Sequence, residues 1–218
     1  MANNTEVEAG QRVYTPFTLR LYDWFVLGFS NRFIWRCPTS NLRALYARHV
    51  SSRHLDIGVG TGYFLDNVAW PTLDPDIVLL DLNNHSLEAS ARRISRFAPK
   101  KIVANCLEPL PLEERFDSIG LCYLLHCVPG KITEKAVIFD HAALVMNDGA
   151  TIFGATILQD APRSKPAQML MNFYNSKGVF SNASDTLQDL TDILESRFTD
   201  VAVSKVGTVA LFSARHKK

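Results

Sequence analysis

The chain has 218 residues, enough for one α/β domain with a substantial core and too few for two ordinary enzyme domains plus a linker. Its 23 Lys and Arg against 22 Asp and Glu leave a formal net charge of +1, and the basic residues are scattered, which argues against nucleic-acid partners. Four cysteines without CxxC spacing argue against a disulfide framework and a structural zinc, and a polar start with no bilayer-length apolar run predicts a soluble, cytoplasmic protein with no membrane partner.

Residues 16–50 carry an aromatic-rich helical pattern, including Phe17, Tyr22, Trp24, Phe29, Phe33 and Trp35, with no partner strand. They are expected to lie as helices over the carboxyl edge of a sheet, where open α/β folds bind ligands. From residue 54 onward, apolar runs of strand length alternate with helix-period segments, the pattern of βαβ units around a mostly parallel sheet. A first strand at 54–57 runs into Gly58, Gly60 and Gly62 and then a helix from 63 to about 70, stopped by Pro71. The continuous apolar run 77–80, ending in Asp81, reads as a strand buried on both faces. A helix at 86–97, a third strand at 101–105 and a fourth at 117–125 follow. Ile132, Ala136, Phe139, Ala143 and Leu144 make a helix stripe, with Asn147-Asp148-Gly149 as its stop, before a fifth strand at 151–158. The remainder reads as a helix at 165–176, a helix at 186–197 capped by Ser184 or Asp185, and two strands, 201–206 and 209–213, forming a hairpin around Gly207-Thr208. One domain is expected over 1–218, with residues 1–50 as a helical lid and 51–218 as an α/β core.

Glycines at 58, 60 and 62 after a strand that holds Asp56 let the backbone approach a ligand and turn amide N–H groups toward it. A dinucleotide loop wants its third glycine at position 63, which is Tyr. No Tyr-x-x-x-Lys pair supports an NAD-dependent oxidoreductase either. The pattern Asp-x-Gly-x-Gly-x-Gly at 56–62 resembles the motif of class I S-adenosylmethionine (SAM)-dependent methyltransferases. Asp81, 25 residues beyond Asp56, ends the second strand, where a carboxylate can accept two hydrogen bonds from a ribose diol.

The resemblance implies a Rossmann-like seven-stranded sheet, mostly parallel with a C-terminal antiparallel hairpin, under an N-terminal helical lid. It implies SAM as cofactor, with S-adenosylhomocysteine (SAH) as product. Asp56 then belongs at the methionine end of the cofactor, Gly58, Gly60 and Gly62 near the ribose, and Asp81 with Leu82 on the sugar. Asn105 and Cys106 replace the family's usual Asp-Ala pair against adenine. Cys122 and Tyr123 fall at the end of the fourth strand, which in this family faces the methyl group, although Tyr123 equally suits packing between sheet and helix. Tyr22-Asp23-Trp24 is similar to the lid helix of related enzymes, with Tyr22 on the methionine carboxylate. Tyr14, Tyr22, Trp24, Phe29 and Trp35 equally suit a second hydrophobic cluster.

The fourth strand lacks the Asn/Asp-Pro-Pro-Tyr tetrad of methyltransferases that act on planar nitrogens, and no carboxylate pair reproduces a catechol-type metal site, so no metal is expected. Leu124-Leu125-His126 and Pro129 resemble small-molecule enzymes similar to those of ubiquinone and menaquinone biosynthesis. His126 is the candidate general base, or else a hydrogen-bonded structural histidine. Tyr14, Trp24, His126 and Tyr174 are the candidate acceptor pocket, with Met169, Met171, Phe173 and Phe180 walling it or packing in the core. His54 and His141 read as structural. The expected activity is methyl transfer to a small, largely apolar metabolite of secondary metabolism by a monomer or homodimer. The alternative is a SAM-binding protein of the same fold that catalyses no methylation, as a cyclase, isomerase or scaffold.

Overall fold

The computed structural model describes residues 23–160 and 163–218, with side chains from Leu27 onward. Helices α1 (Asp23–Ile34) and α2 (Thr39–His49) precede the first strand. The chain then runs β1 (Arg53–Ile57), α3 (Tyr63–Asp66), β2 (Asp76–Asp81), α4 (Asn84–Arg93), β3 (Lys100–Val103) and β4 (Phe116–Cys122). It continues through α5 (Ile132–Lys135), α6 (Val137–Leu144), β5 (Met146–Ile157), α7 (Lys165–Ser176), α8 (Leu187–Arg197), β6 (Phe198–Val206) and β7 (Val209–Lys217). The seven strands form one sheet in the order β3-β2-β1-β4-β5-β7-β6. Strands β1 to β5 are parallel to one another, while β7 runs antiparallel to both β5 and β6. The chain steps outward from β1 to β3 and returns to β4, so the order reverses between β1 and β4 and opens a crevice at their carboxyl ends.

Strand alternation divides the core between the two faces of this sheet. Val78 and Leu80 join Leu55, Ile57, Ile119 and Leu121 under α6 and α8, whereas Ile77 and Leu79 join Trp35, Leu42 and Tyr46 on the other face. Burial on both faces accounts for the unbroken apolar run of β2. Helix α2 lies on the second face, and both N-terminal helices reach the crevice, α1 through Leu27 and α2 through Tyr46.

Several boundaries differ from expectation, among them β3, which ends at Val103 rather than 105, β4, which ends at Cys122 rather than 125, and the hairpin strands, which extend to Phe198 and Lys217. Helix α3 ends after Asp66 because Asn67 Nδ2 and Trp70 Nε1 take the carbonyls of Tyr63 and Leu65 (2.9 and 3.1 Å), capping the helix from its own C-terminal side. The 86–97 helix breaks after Arg93 into a tight turn, Ser95–Phe97, with Ala98 in the left-handed region (φ 46°) ahead of Pro99. Asn147-Asp148-Gly149 does not stop a helix: α6 has already ended at Leu144, and the triplet lies within β5. Between the pairs Phe116↔Met146 and Ser118↔Thr151 the partner strand advances two residues while β5 advances five, so the triplet is accommodated as a bulge pinned by Asn147 Nδ2 on Asp117 Oδ1 (2.7 Å). Thr186, rather than Ser184 or Asp185, caps α8, its hydroxyl accepting from Asp189 N (3.1 Å).

Candidate active site

The ends of β1, β2, β3 and β4 open into one cleft of about 140 Å³. Asp56, Gly58, Gly60, Gly62, Asp81, Leu82, Asn105, Cys106, Cys122 and Tyr123 all line it. Tyr14 and Tyr22 lie outside the described residues, as does the Trp24 side chain.

The glycine loop is held open from behind by α4. Ser90 Oγ donates between the carbonyls of Val59 and Gly60 (3.3 and 3.1 Å), and Arg93 donates to Thr61 Oγ1 (3.0 Å). At Gly62 (φ 71°) a Cβ would stand 3.0 Å from Ser90 Cα, so a side chain there would wedge the loop from the helix. At Gly60 (φ 53°) a Cβ would meet nothing within 4 Å, so the space above that backbone belongs to the cleft. A ligand can therefore approach the loop backbone closely at this point.

Two carboxylates flank this surface. Asp81 accepts the amide N–H of Asn83 (2.8 Å), with the Val59 and Gly60 amides also favouring its charge. Burial outweighs those donors and raises its pKa to about 6. Asp56 is 3% exposed, with Oδ1 accepting from Tyr46 Oη (2.9 Å) and His54 Nε2 at 3.5 Å. A glycine loop with open space beside it, flanked by one carboxylate from β1 and one from the end of β2, fits SAM in shape and charge.

At the β3 side of the cleft that strand ends at Val103, so Asn105 and Cys106 sit on the following loop. Asn105 Oδ1 accepts the Leu107 amide (3.1 Å) and keeps a second lone pair. His141 Nδ1 lies 3.2 Å from the Cys106 carbonyl, which fixes that turn from outside the cleft. Burial pushes the Cys106 thiol up to about 12 and raises that of Cys122 well above the usual thiol range, so both remain neutral.

Strand β4 ends where Tyr123 takes a left-handed backbone (φ 60°), unusual for a tyrosine and costly without support. The support comes from its amide on the Ala155 carbonyl (2.7 Å) and its hydroxyl on Asn31 Oδ1 of α1 (2.8 Å). Beyond it, Leu124, Cys127, Val128 and Pro129 with Leu27 make an apolar wall.

His126 and Tyr174 are not among the cleft-lining residues. His126 is 3% exposed, and its Nδ1 accepts the Ile157 amide (3.3 Å) behind that wall. Its ring packs edge-on against Phe180 (4.6 Å), which in turn packs on Tyr174 (4.8 Å). Burial, aided by the Lys135 charge, lowers the pKa of His126 to about 3. Met171 is buried, whereas Met169 and Phe173 point outward.

Tyr46, Asn31, Asn83 and Ser86 had no motif to reveal them. Asn83 caps α4, accepting from the amides of His85 and Ser86 (2.8 and 3.3 Å), and lines the cleft with Ser86. The Asn-x-x-Ser spacing after Asp81 is the one signal that was available for this pair. Among the described residues no cluster of His, Cys, Asp and Glu suits a metal ion, and no helix is long and apolar enough to cross a membrane.

No protein-family model matches the chain. Among curated proteins, it is 42% identical over 211 residues to demethylluteothin O-methyltransferase of Streptomyces thioluteus, covering 96% of this chain and 92% of that one. It is 33% identical over 222 residues to the physcion biosynthesis cluster O-methyltransferase of Aspergillus chevalieri, covering both chains completely. Among solved structures, the N-methyltransferase NodS of Bradyrhizobium japonicum WM9, crystallised with SAH, superposes with a TM-score of 0.65 at 14% identity over 98% of this chain and 99% of that one. Together with the cleft, these relatives identify SAM as the cofactor and methyl transfer as the activity. The chain belongs to the class I SAM-dependent methyltransferases of small-molecule type.

Proposed function

We propose that the protein methylates an acidic hydroxyl, phenolic or enolic, on a small and largely apolar secondary metabolite. The observation that carries this reading is the acceptor-side wall, Leu27, Tyr123, Leu124, Cys127, Val128 and Pro129, which among the described residues holds no carboxylate, imidazole or amine. The nearest imidazole, His126, already accepts a backbone N–H at Nδ1. In a neutral ring the proton then sits on Nε2, and no lone pair is left to take another. His126 therefore orients the wall and takes no proton from the acceptor. An acceptor that ionises by itself needs no such base. The O-methyltransferase names of the two relatives, one of them from a biosynthesis cluster, support oxygen as the accepting atom.

In this reading Asp81 grips the ribose diol and Asp56 the methionine ammonium, while the loop at 58–62 packs on the sugar and residues 105–106 meet the adenine. SAM supplies the electrophilic methyl carbon: the C–S bond breaks as the O–CH₃ bond forms, and an anionic oxygen ends as a neutral methyl ether. The chain's own contribution is alignment in a cleft that excludes water.

Methyl-labelled SAM offered with a graded series of phenols and cyclic enols tests this. Label is expected in methyl ethers, with kcat/KM at fixed pH rising with the ionised fraction of each acceptor and each pH profile tracking that acceptor's own pKa. One inflection common to all acceptors would place the base on the protein and contradict the proposal. So would label found only on nitrogen or carbon.

A further inference from the structure

Strand alternation puts His54 and Asp56 on the face of β1 that α2 covers, while Leu55 and Ile57 face the opposite core. The register pairs His54 with Ser118 and Asp56 with Gly120. A polar strip results on an otherwise apolar sheet, and Tyr46 of α2 closes over it. The Tyr46 ring stacks on Phe64 (5.0 Å) and meets Phe153 edge-on (5.1 Å), so its hydroxyl is aimed rather than free. That hydroxyl donates to Asp56 Oδ1 (2.9 Å). His54 Nε2 stands 3.5 Å from the same oxygen, and His54 Nδ1 lies 2.8 Å from Ser118 Oγ, which accepts the Ser51 amide (2.9 Å). A Cβ at Gly120 would sit 2.5 Å from Oδ1, so the neighbouring strand leaves room for this oxygen alone. Tyr46 and Asp56 both line the cleft.

We infer that Tyr46 is a positioning residue for the cofactor: by holding Oδ1 it fixes the Asp56 carboxylate so that Oδ2 is presented to the ammonium group of the methionine moiety. This rests on the placement of the methionine end at Asp56 given above. The terminal torsion of an aspartate is broad and roughly two-fold, so an unbraced carboxylate would rotate. Burial and the Asp56 charge both push the phenol pKa of Tyr46 well above 10, so the donor keeps its proton.

Tyr46→Phe removes the donor and keeps the ring packing. Calorimetric titration with SAH and with 5′-methylthioadenosine, which has the adenine, ribose and sulfur but no amino-acid moiety, separates a local brace from a general loss. SAH affinity is expected to fall about tenfold, the scale of a hydrogen bond to a charged group, with methylthioadenosine unchanged. In an Asp56→Ala background, adding Tyr46→Phe should cost nothing further. Equal losses for both ligands, no loss for SAH, or the same loss without Asp56 would each overturn the assignment. If Tyr46→Phe fails to fold, Gly120→Ala, which crowds the same oxygen, must give the same selective loss for the assignment to stand. An Asp56→Ala protein that still prefers SAH over methylthioadenosine as the parent does would instead remove the methionine end from Asp56, and the brace with it.

Discussion

Asp81 costs the folded protein something when the cleft holds no ligand. Its pKa lies at about 6, above the ordinary aspartate value of 3.8, so between those values the folded state holds a proton that the unfolded chain has released. That contribution to stability is present at low pH and is lost as pH rises through about 6. With the ribose placed on Asp81 as proposed, cofactor binding runs the other way, because a diol donates to the ionised carboxylate. SAH affinity should therefore fall as pH drops below about 6, approaching tenfold per unit. Asp81→Asn should weaken SAH binding by roughly 1.5–3 kcal/mol, abolish most of that pH dependence and raise the melting temperature of the ligand-free protein at pH 7. Titration calorimetry across pH 5–8 and a thermal melt check the three together. Affinity that stays flat in the parent protein would mean that Asp81 does not bear on the sugar.

At the scale of elements, the wall of the acceptor side depends on a buried pair far from any motif. Lys135 of α5 bonds Asp185 Oδ2 (2.8 Å) and the Ser181 carbonyl (2.5 Å), with neither side chain of the pair exposed, while Asp185 Oδ1 accepts the Ile132 amide (3.1 Å). Ser181 in turn donates its amide to the His126 carbonyl (2.8 Å). Burial opposes both charges, lowering the Lys135 pKa and raising that of Asp185. Lys135→Met should cost about 3–5 kcal/mol by stranding the carboxylate, and Lys135→Met/Asp185→Asn should recover part of it, since Asn keeps an acceptor for Ile132. Denaturant unfolding of the two variants measures the difference. Equal stabilities would mean that the lone carboxylate is not the source of the loss.

Local chemistry decided which elements were legible. The glycine loop, Asp81 at a strand end, helix α7 and the Gly207-Thr208 hairpin announce themselves through short-range pattern, and the structure places them accordingly. Contacts made only in three dimensions did not: Tyr46 on Asp56 spans ten residues, Tyr123 on Asn31 spans 92, and Lys135 on Asp185 spans 50. His126 looked like a base because its position past β4 is right, but sequence does not tell that its ring turns toward β5. The triplet at 147–149 has turn chemistry that suits a helix stop or a bulge equally, and only the register of β4 on β5 selects the bulge.

Over the whole molecule, the reversal of strand order between β1 and β4 places two acids and a glycine loop around one crevice, with an apolar wall on its far side. Everything chemical in the account depends on how the adenosyl group lies there. A crystal structure with SAH tests this most directly. Both ribose hydroxyls are expected on Asp81, the amino group within hydrogen-bond reach of Asp56 Oδ2, and the sulfur facing the wall formed by Tyr123 and Pro129. Ribose away from Asp81, or sulfur turned toward the β3 side of the cleft, would contradict it.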